Sequence, residues 1–318
     1  MIGWLRRGLD SRMVHLCVSL GMGALGIFAL LTITVVSVGV GSTRTIVVEA
    51  ETTGLEITFA GQANDWALGP VTVCVPRPQI DRSLPRGDGQ CDARRYLERS
   101  EDSLRINWNQ NAAVRVTSTS LGGLAFDMSG QTDVENRTRV ILSAESWQAN
   151  GALTFSGTTR IGDQLASGET HMILSGSFEM REKPFGSETT EVLKTGPLRR
   201  GESALIMMPT EDGPMAAKVF GHITPAEDSS SRIAVGVVSA PGQVFLQLGF
   251  YGAAVPTRIS PSWVDRALAS PLVLALVAIM SLVLNARQLI GYAASTLKAP
   301  AVAPPATRAA DRAPDPEP

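Results

Sequence analysis

Two stretches of this chain carry no Asp, Glu, Lys or Arg: the residues between Arg12 and Arg44, and those between Arg266 and Arg287. Each reaches or exceeds the roughly 20 apolar residues that cross a bilayer's hydrocarbon core. Leu, Val, Ala and Ile fill both, from Leu16 to Val40 and from Leu268 to Leu284. The sequence therefore predicts two membrane-spanning helices, over 13–41 and 266–286. Arg6, Arg7 and Arg12 give the first the positive flank of a secretory signal. Its apolar run is longer than the about 7–15 residues of a signal core, and no Ala-x-Ala site follows, so an uncleaved anchor is expected.

Orientation follows the Lys and Arg near the ends of each span. Three arginines precede the first span and only Arg44 follows it, which places residues 1–12 in the cytoplasm. The second span is balanced, with Arg258 and Arg266 before it and Arg287 and Lys298 after it. An even number of spans brings the tail, 287–318, back to the cytoplasm. That leaves 42–265 as one extracytoplasmic domain. The Ala- and Pro-rich stretch from Ala299 cannot bury enough apolar surface to offset its ordering entropy and is expected to be disordered.

The cysteines fit this topology. Cys17 falls in the first span, while Cys74 and Cys91 fall in the external segment with Pro76, Pro78, Pro85, Gly87 and Gly89 between them. In an oxidising compartment such a pair is expected to form a disulfide that closes an irregular loop. Four lysines against 24 arginines suggest a GC-rich bacterial genome, which makes the chain a cell inner-membrane protein and the outer space a periplasm. A net charge of −2 gives no excess of cations for nucleic acid.

Between the spans the chain alternates apolar and polar residues at period two. Ile46–Ala50, Leu55–Phe59, Val71–Val75, Leu104–Trp108 and Val114–Val116 show it first. Leu124–Met128, Arg139–Ser143, Leu153–Phe155, Met172–Phe178, Ala217–Ile223, Ile233–Val238 and Val244–Phe250 continue it. Runs of this kind bounded by Gly, Pro, Asn and Ser predict half-buried antiparallel strands. The expected fold is mainly β, an antiparallel β-sandwich-like extracytoplasmic domain flanked by two transmembrane α-helices. A short helix is predicted over Asp92–Arg99, with Asp92 as its cap. The charged, Gly- and Pro-containing stretch from Arg181 to Pro214 is expected to be a long hairpin or mobile loop.

The search for chemistry yields little. His15 borders the first span, and His171 and His222 fall in predicted strands. The one Ser-x-x-Lys spacing, Ser295 to Lys298, lies beyond the second span. No phosphate loop, zinc-protease or calcium-loop motif occurs, so no cofactor or metal is expected. Asp65, Asp127, Asp133, Glu135, Glu145, Asp163 and Glu169 supply carboxylates but no fixed pair. Trp66, Trp108 and Trp147 are candidate binding residues, Trp66 in a turn-like context where an indole could stack on a sugar ring. Trp263 is expected at the membrane interface, just before the second span.

The expected function is a non-enzymatic interaction module, an accessory subunit of an envelope complex. Its partners are the membrane and other envelope proteins or further copies of itself. The alternatives are a saccharide- or lipid-binding domain and a tethered hydrolase using carboxylates.

Overall fold

The computed structural model describes residues 26, 32, 43–61, 64–84, 91–130, 138–162, 171–183, 189–226, 229–250, 253 and 255–297. Residues 1–12, nearly all of the first predicted span and the tail beyond 297 lie outside the described residues. The chain divides into two compact units, one of residues 28–273 and one that joins 1–27 to 274–318.

Alternation makes the strands of the first unit. In β1 (Arg44–Thr52), Ile46, Val48 and Ala50 are buried, while Val47, Glu49 and Glu51 point the other way. Period-two side chains on a pleated strand give one apolar and one polar face, and register is fixed by keeping the apolar face covered. Strands are numbered in chain order. One path of antiparallel pairings runs from β12 (Glu191–Leu198) through β11 (Ile173–Glu182), β1, β16 (Ser229–Ser239), β15 (Val219–Ala226) and β10 (Leu153–Ile161). It continues through β2 (Gly54–Phe59), β7 (Ala113–Ser118), β8 (Leu124–Ser129), β9 (Arg139–Leu142), β4 (Val71–Pro76) and β5 (Tyr96–Glu101).

A branch leaves this path at β10. There β13 (Glu202–Thr210) pairs with Arg160 and Ile161, and itself carries β14 (Gly213–Ala216) and β17 (Phe245–Phe250), the latter joined by β18 (Thr257–Ile259). A separate pair, β3 (Asp65–Leu68) and β6 (Leu104–Asn107), completes the set. Ile46, Phe126, Val71, Val219 and Leu246, from widely separated strands, belong to one contiguous apolar core. The fold class is mainly β, built on one large antiparallel sheet.

Shortly before the branch, the approach of β2 to β10 needs a glycine. Residues Leu153–Gly157 of β10 pair with β15, and the other edge of β10 pairs with β2 from Gly157 onward. At Gly157 the neighbouring backbone comes so close that a Cβ would collide with the Thr58 carbonyl oxygen. β2 comes this close because nothing projects from Gly157, and β13 replaces β15 on the opposite edge by Arg160.

Cys74 and Cys91 are joined in a disulfide with a Cα–Cα distance of 5.6 Å, as the sequence predicts. Cys74 lies on the face of β4 that points away from the main core. With Cys91, Ala125, Ile141 and the half-buried Tyr96 it forms a small second apolar cluster. On the same face, one residue from each neighbouring strand forms a row of alternating charge. Arg160 stands beside Glu56, Glu56 beside Arg115, Arg115 beside Asp127 and Asp127 beside Arg139, which is followed by Cys74 itself. Opposite charges across each step of about 4.8 Å favour this register over any slip by one residue.

The structure departs from expectation in two places and, in a third, selects the hairpin over the loop. The helix predicted over Asp92–Arg99 is a turn followed by β5. Asp92 holds the turn, its side chain accepting from the Arg94 amide and its carbonyl from the amides of Arg95 and Tyr96. A helix here has few apolar residues to bury, whereas pairing of Tyr96–Glu101 with β4 satisfies its backbone. The stretch from Arg181 to Pro214 is mostly strand, forming β12, β13 and the hairpin into β14, although 184–188 lie outside the described residues. A short helix, α1 (Ala144–Asn150), follows β9. It is capped by Ser143, whose hydroxyl accepts from the Ser146 amide.

Near the end of the chain stand α2 (Trp263–Ala269) and α3 (Pro271–Leu297). Among the described residues no single helix is long and apolar enough to cross a membrane, but α2 taken with Val273–Leu282 has that length and composition. Gly26, in the second unit, and Thr32, in the first, are helical residues of the first apolar stretch. The space a Cβ would fill at Gly26 is bordered by the Met280 side chain of α3, 3.4 Å away.

Candidate functional site

The outward face of β11, β1, β16 and β15 holds a groove of about 400 Å3. Its shape follows from the side chains that register brings together. The outward residues in the middle of β16 are Ala234 and Gly236, which leave a low floor. On one side β1 contributes Glu51 beside Ala234 and Glu49 beside Gly236. On the other, β15 contributes Thr224 beside Ala234 and His222 beside Gly236. Ser175 and Ser177 of β11 extend the acidic side. One step along the strands the same rows become apolar, with Val47, Val238 and Phe220 side by side.

Gly236 is required by the imidazole. A Cβ at that position would lie 2.7 Å from Cε1 of His222, so the ring lies across the strand over the glycine. The two carboxylates differ. Glu51 accepts from Nη1 of Arg232 at 3.2 Å and from the Ser175 hydroxyl at 3.4 Å. Glu49 is exposed and acts electrostatically on Arg181, which Glu179 holds at 2.7 Å. Both carboxylates rise from one strand, on one wall. Paired acid–base work on a glycosidic bond needs carboxyl groups flanking it.

A second constellation lies where β1 begins and α2 packs against β12. Arg44 is 5% exposed and Glu182 3% exposed. Nε and Nη2 of Arg44 both donate to Oε2 of Glu182, at 3.1 and 3.0 Å, and Nη1 donates to the Val244 carbonyl at 2.8 Å. The other carboxylate oxygen of Glu182 lies 3.6 Å from Nε of Arg266 in α2. Burial draws the pKa of Arg44 down while Glu182 opposes the shift. Arg44 and Arg266, the arginines that border the two charge-free stretches in sequence, thus meet on one buried carboxylate.

Helix α2 is inside-out for a water-facing helix. Its charged residues, Asp265 and Arg266, are half-buried, while Trp263 is 64% and Leu268 63% exposed and Val264 is exposed beside them. Ser262 caps it in a reciprocal arrangement: the Asp265 amide donates to the Ser262 hydroxyl and the Ser262 amide to the Asp265 carboxylate. These hydrogen bonds, the backbone one foremost, hold Asp265 below the usual carboxylate range.

The structure places Trp66, Trp108 and Trp147 in the core. Trp66 belongs to β3 rather than to a turn, is 1% exposed and donates from Nε1 to the Thr154 carbonyl at 2.8 Å. Trp108 stacks on Phe59 with ring centroids 4.3 Å apart and meets Trp66 edge to face at 5.1 Å. Trp147 is the buried residue of α1. The ring faces that a ligand would use are taken up by packing. His222 lies in a strand and in the groove, whereas His171 precedes β11 and packs over Gly54.

Sequence reasoning missed the groove and the Glu182 junction, because both arise from strand order. Three segments spread over nearly 190 residues must be neighbours before Glu49, Gly236 and Ser177 share a row. Comparison with protein-family models, with curated proteins and with solved structures yields no match.

Proposed function

We propose that this chain is a membrane-anchored protein whose β domain, sandwich-like in its packing and lying outside the cytoplasm, serves as an interaction module of an envelope assembly. Transmembrane helices flank the domain in this reading, and both termini are cytoplasmic. The observation that carries it is the inverted helix α2. Exposing Trp263, Val264 and Leu268 while Arg266 turns toward the buried Glu182 is unfavourable in water but suits the boundary between headgroups and acyl chains. Its position directly before α3, which holds no charge until Arg287, supports the same reading. So do the approach of Gly26 to Met280, a small residue against a helix as membrane packing favours, and a disulfide of the kind oxidising compartments retain.

The test is tryptophan quenching by brominated lipid, with the full chain in nanodiscs. Trp66, Trp108 and Trp147 are buried in protein, and Trp4 is removed by Trp4→Phe. Quenching that disappears in Trp4→Phe/Trp263→Phe is the expected result. Equal quenching with and without Trp263 would overturn the membrane seat. A second reading, a small-ligand site for a saccharide or lipid, is favoured by the groove over β16.

A further inference from the structure

We propose that a polar hollow on the outward face of β10, β13 and β17 binds a small oxyanion, phosphate or the phosphate of a soluble monoester, with the Arg160 guanidinium as its countercharge. This goes beyond the role of the domain as an interaction module and holds whichever partner that role involves. Register builds the hollow. Arg160 of β10 stands beside Leu205 of β13, and Leu205 beside Gln247 of β17. Two residues along the strands, Ser203 stands beside Gly249, and this small pair leaves a depression of about 80 Å3 that Pro256 borders just ahead of β18. The volume is far below the about 300–1,000 Å3 of sites that enclose drug-sized molecules, so the occupant is an ion or one small group.

The lining selects the sign of the occupant. Arg160 brings a positive charge, Ser203 a hydroxyl and Gln247 an amide N–H, and none of these side chains has a hydrogen-bond or ion-pair partner among the described residues. No carboxylate is among the described residues that line the hollow. The acid nearest in register, Glu56, stands at the other edge of β10, across Arg160 from the hollow. At the far end of the row, beside Gln247, Arg258 adds a second cation, its guanidinium 3.9 Å from the centre of the Phe245 ring. From Arg258 to Arg139 the outward row carries Arg258, Arg160, Arg115 and Arg139 against Glu56 and Asp127, so the face is positive. A cation would be repelled here, and a neutral molecule would leave the Arg160 charge without a counterion. Arg bonds to phosphate oxygens are charge-assisted and among the stronger hydrogen bonds.

Position selects the source of the phosphate. Arg44, which follows the first charge-free stretch, bonds to the Val244 carbonyl, and Ile259, just ahead of α2, stands beside Leu246. Both apolar stretches therefore join the domain at the Val244–Leu246 end of β17. Gly249 and Ser203 lie four residues from Phe245 and Met207 toward the opposite end, about 13 Å at the rise of a strand. That displacement favours a solute over a lipid headgroup.

The experiment is equilibrium dialysis of the full-length protein, in phosphatidylcholine nanodiscs at about 0.15 M salt, against radiolabelled inorganic phosphate. The expected result is saturable binding of one phosphate per chain that weakens at least tenfold in Arg160→Gln. Gln247→Glu, which keeps Arg160 but puts a carboxylate in the hollow, should abolish it. Replacing part of the lipid by phosphatidylglycerol should leave the affinity unchanged. Three outcomes overturn the proposal. One is the absence of saturable binding, and another is binding that Arg160→Gln leaves unchanged. The third is loss of the Arg160-dependent binding when phosphatidylglycerol is present, which would give the hollow to a lipid phosphate. Both side chains lie on the outward sheet face, and circular dichroism confirms that each variant is folded.

Discussion

Arg44 and Glu182 stand 138 positions apart in sequence and form a buried ion pair with a nitrogen–oxygen distance of 3.0 Å. Removing one partner leaves the other as an uncompensated buried charge, at a typical cost of about 3–5 kcal/mol, whereas an apolar pair of similar volume restores much of the stability. Glu182→Gln is expected to destabilise the domain by about 3 kcal/mol or more in chemical denaturation. The triple change Arg44→Met/Glu182→Leu/Arg266→Met, which leaves no charge at the junction, should lie much closer to the unaltered protein.

The row Arg160, Glu56, Arg115, Asp127, Arg139 predicts a sign-dependent effect at its centre. Arg115→Glu places three acids side by side and is expected to cost about 1 kcal/mol or more, while Arg115→Gln costs less than half as much. Because the row is exposed or half-buried, the difference between the two variants should shrink in 1 M salt, where screening shortens to about 3 Å. Denaturation curves of both variants at two salt concentrations measure this.

Gly157→Ala is expected to lower stability by about 1–3 kcal/mol, because the new methyl meets backbone that cannot move aside cheaply. Gly242, where a Cβ would meet nothing within 4 Å, is the control. Gly242→Ala should stay within about 0.5 kcal/mol of the unaltered protein.

The cap of α2 predicts a pH dependence. The carboxyl of Asp265 has its pKa lowered in the folded protein, so it binds protons less readily than in the unfolded chain. Its contribution is present above the ordinary aspartate value of 3.8 and is lost as pH falls through the lower folded value. The Tm of the unaltered protein should exceed that of Asp265→Asn at pH 6, and the gap should close below about pH 4.

Most strands were legible in the sequence because a half-buried strand writes its own period. Ile46, Val48 and Ala50 alternate with Val47 and Glu49, whatever pairs with them. Residues that depend on a distant partner were not legible. Asp92–Arg99 reads locally as a charged helix, yet from Tyr96 onward it is a strand because β4 supplies hydrogen bonds and the Cys74–Cys91 link holds it near. Trp66 follows Asn64 and Asp65, typical turn residues, yet it is drawn into the core by Phe59, Trp108 and Phe126. The cap of α1 was visible in principle, since Ser143 precedes Ala144 and Glu145 lies in the first turn. The groove left no local signal, because Gly236 looks like any strand glycine until His222 lies across it.

The position of β1 between β11 and β16 bears on how the domain is made. Val47 pairs with Glu179 on one edge and Val238 on the other. The earliest of the described strands to leave the ribosome therefore waits about 130 residues for its first neighbour and about 190 for its second. Closing loops of that length makes assembly slow, and both edges of an apolar strand stay bare meanwhile. A chain ordered in this way depends on escort during its synthesis: protein truncated before Ser229 keeps β1 with one edge open and is prone to pair with its own copies.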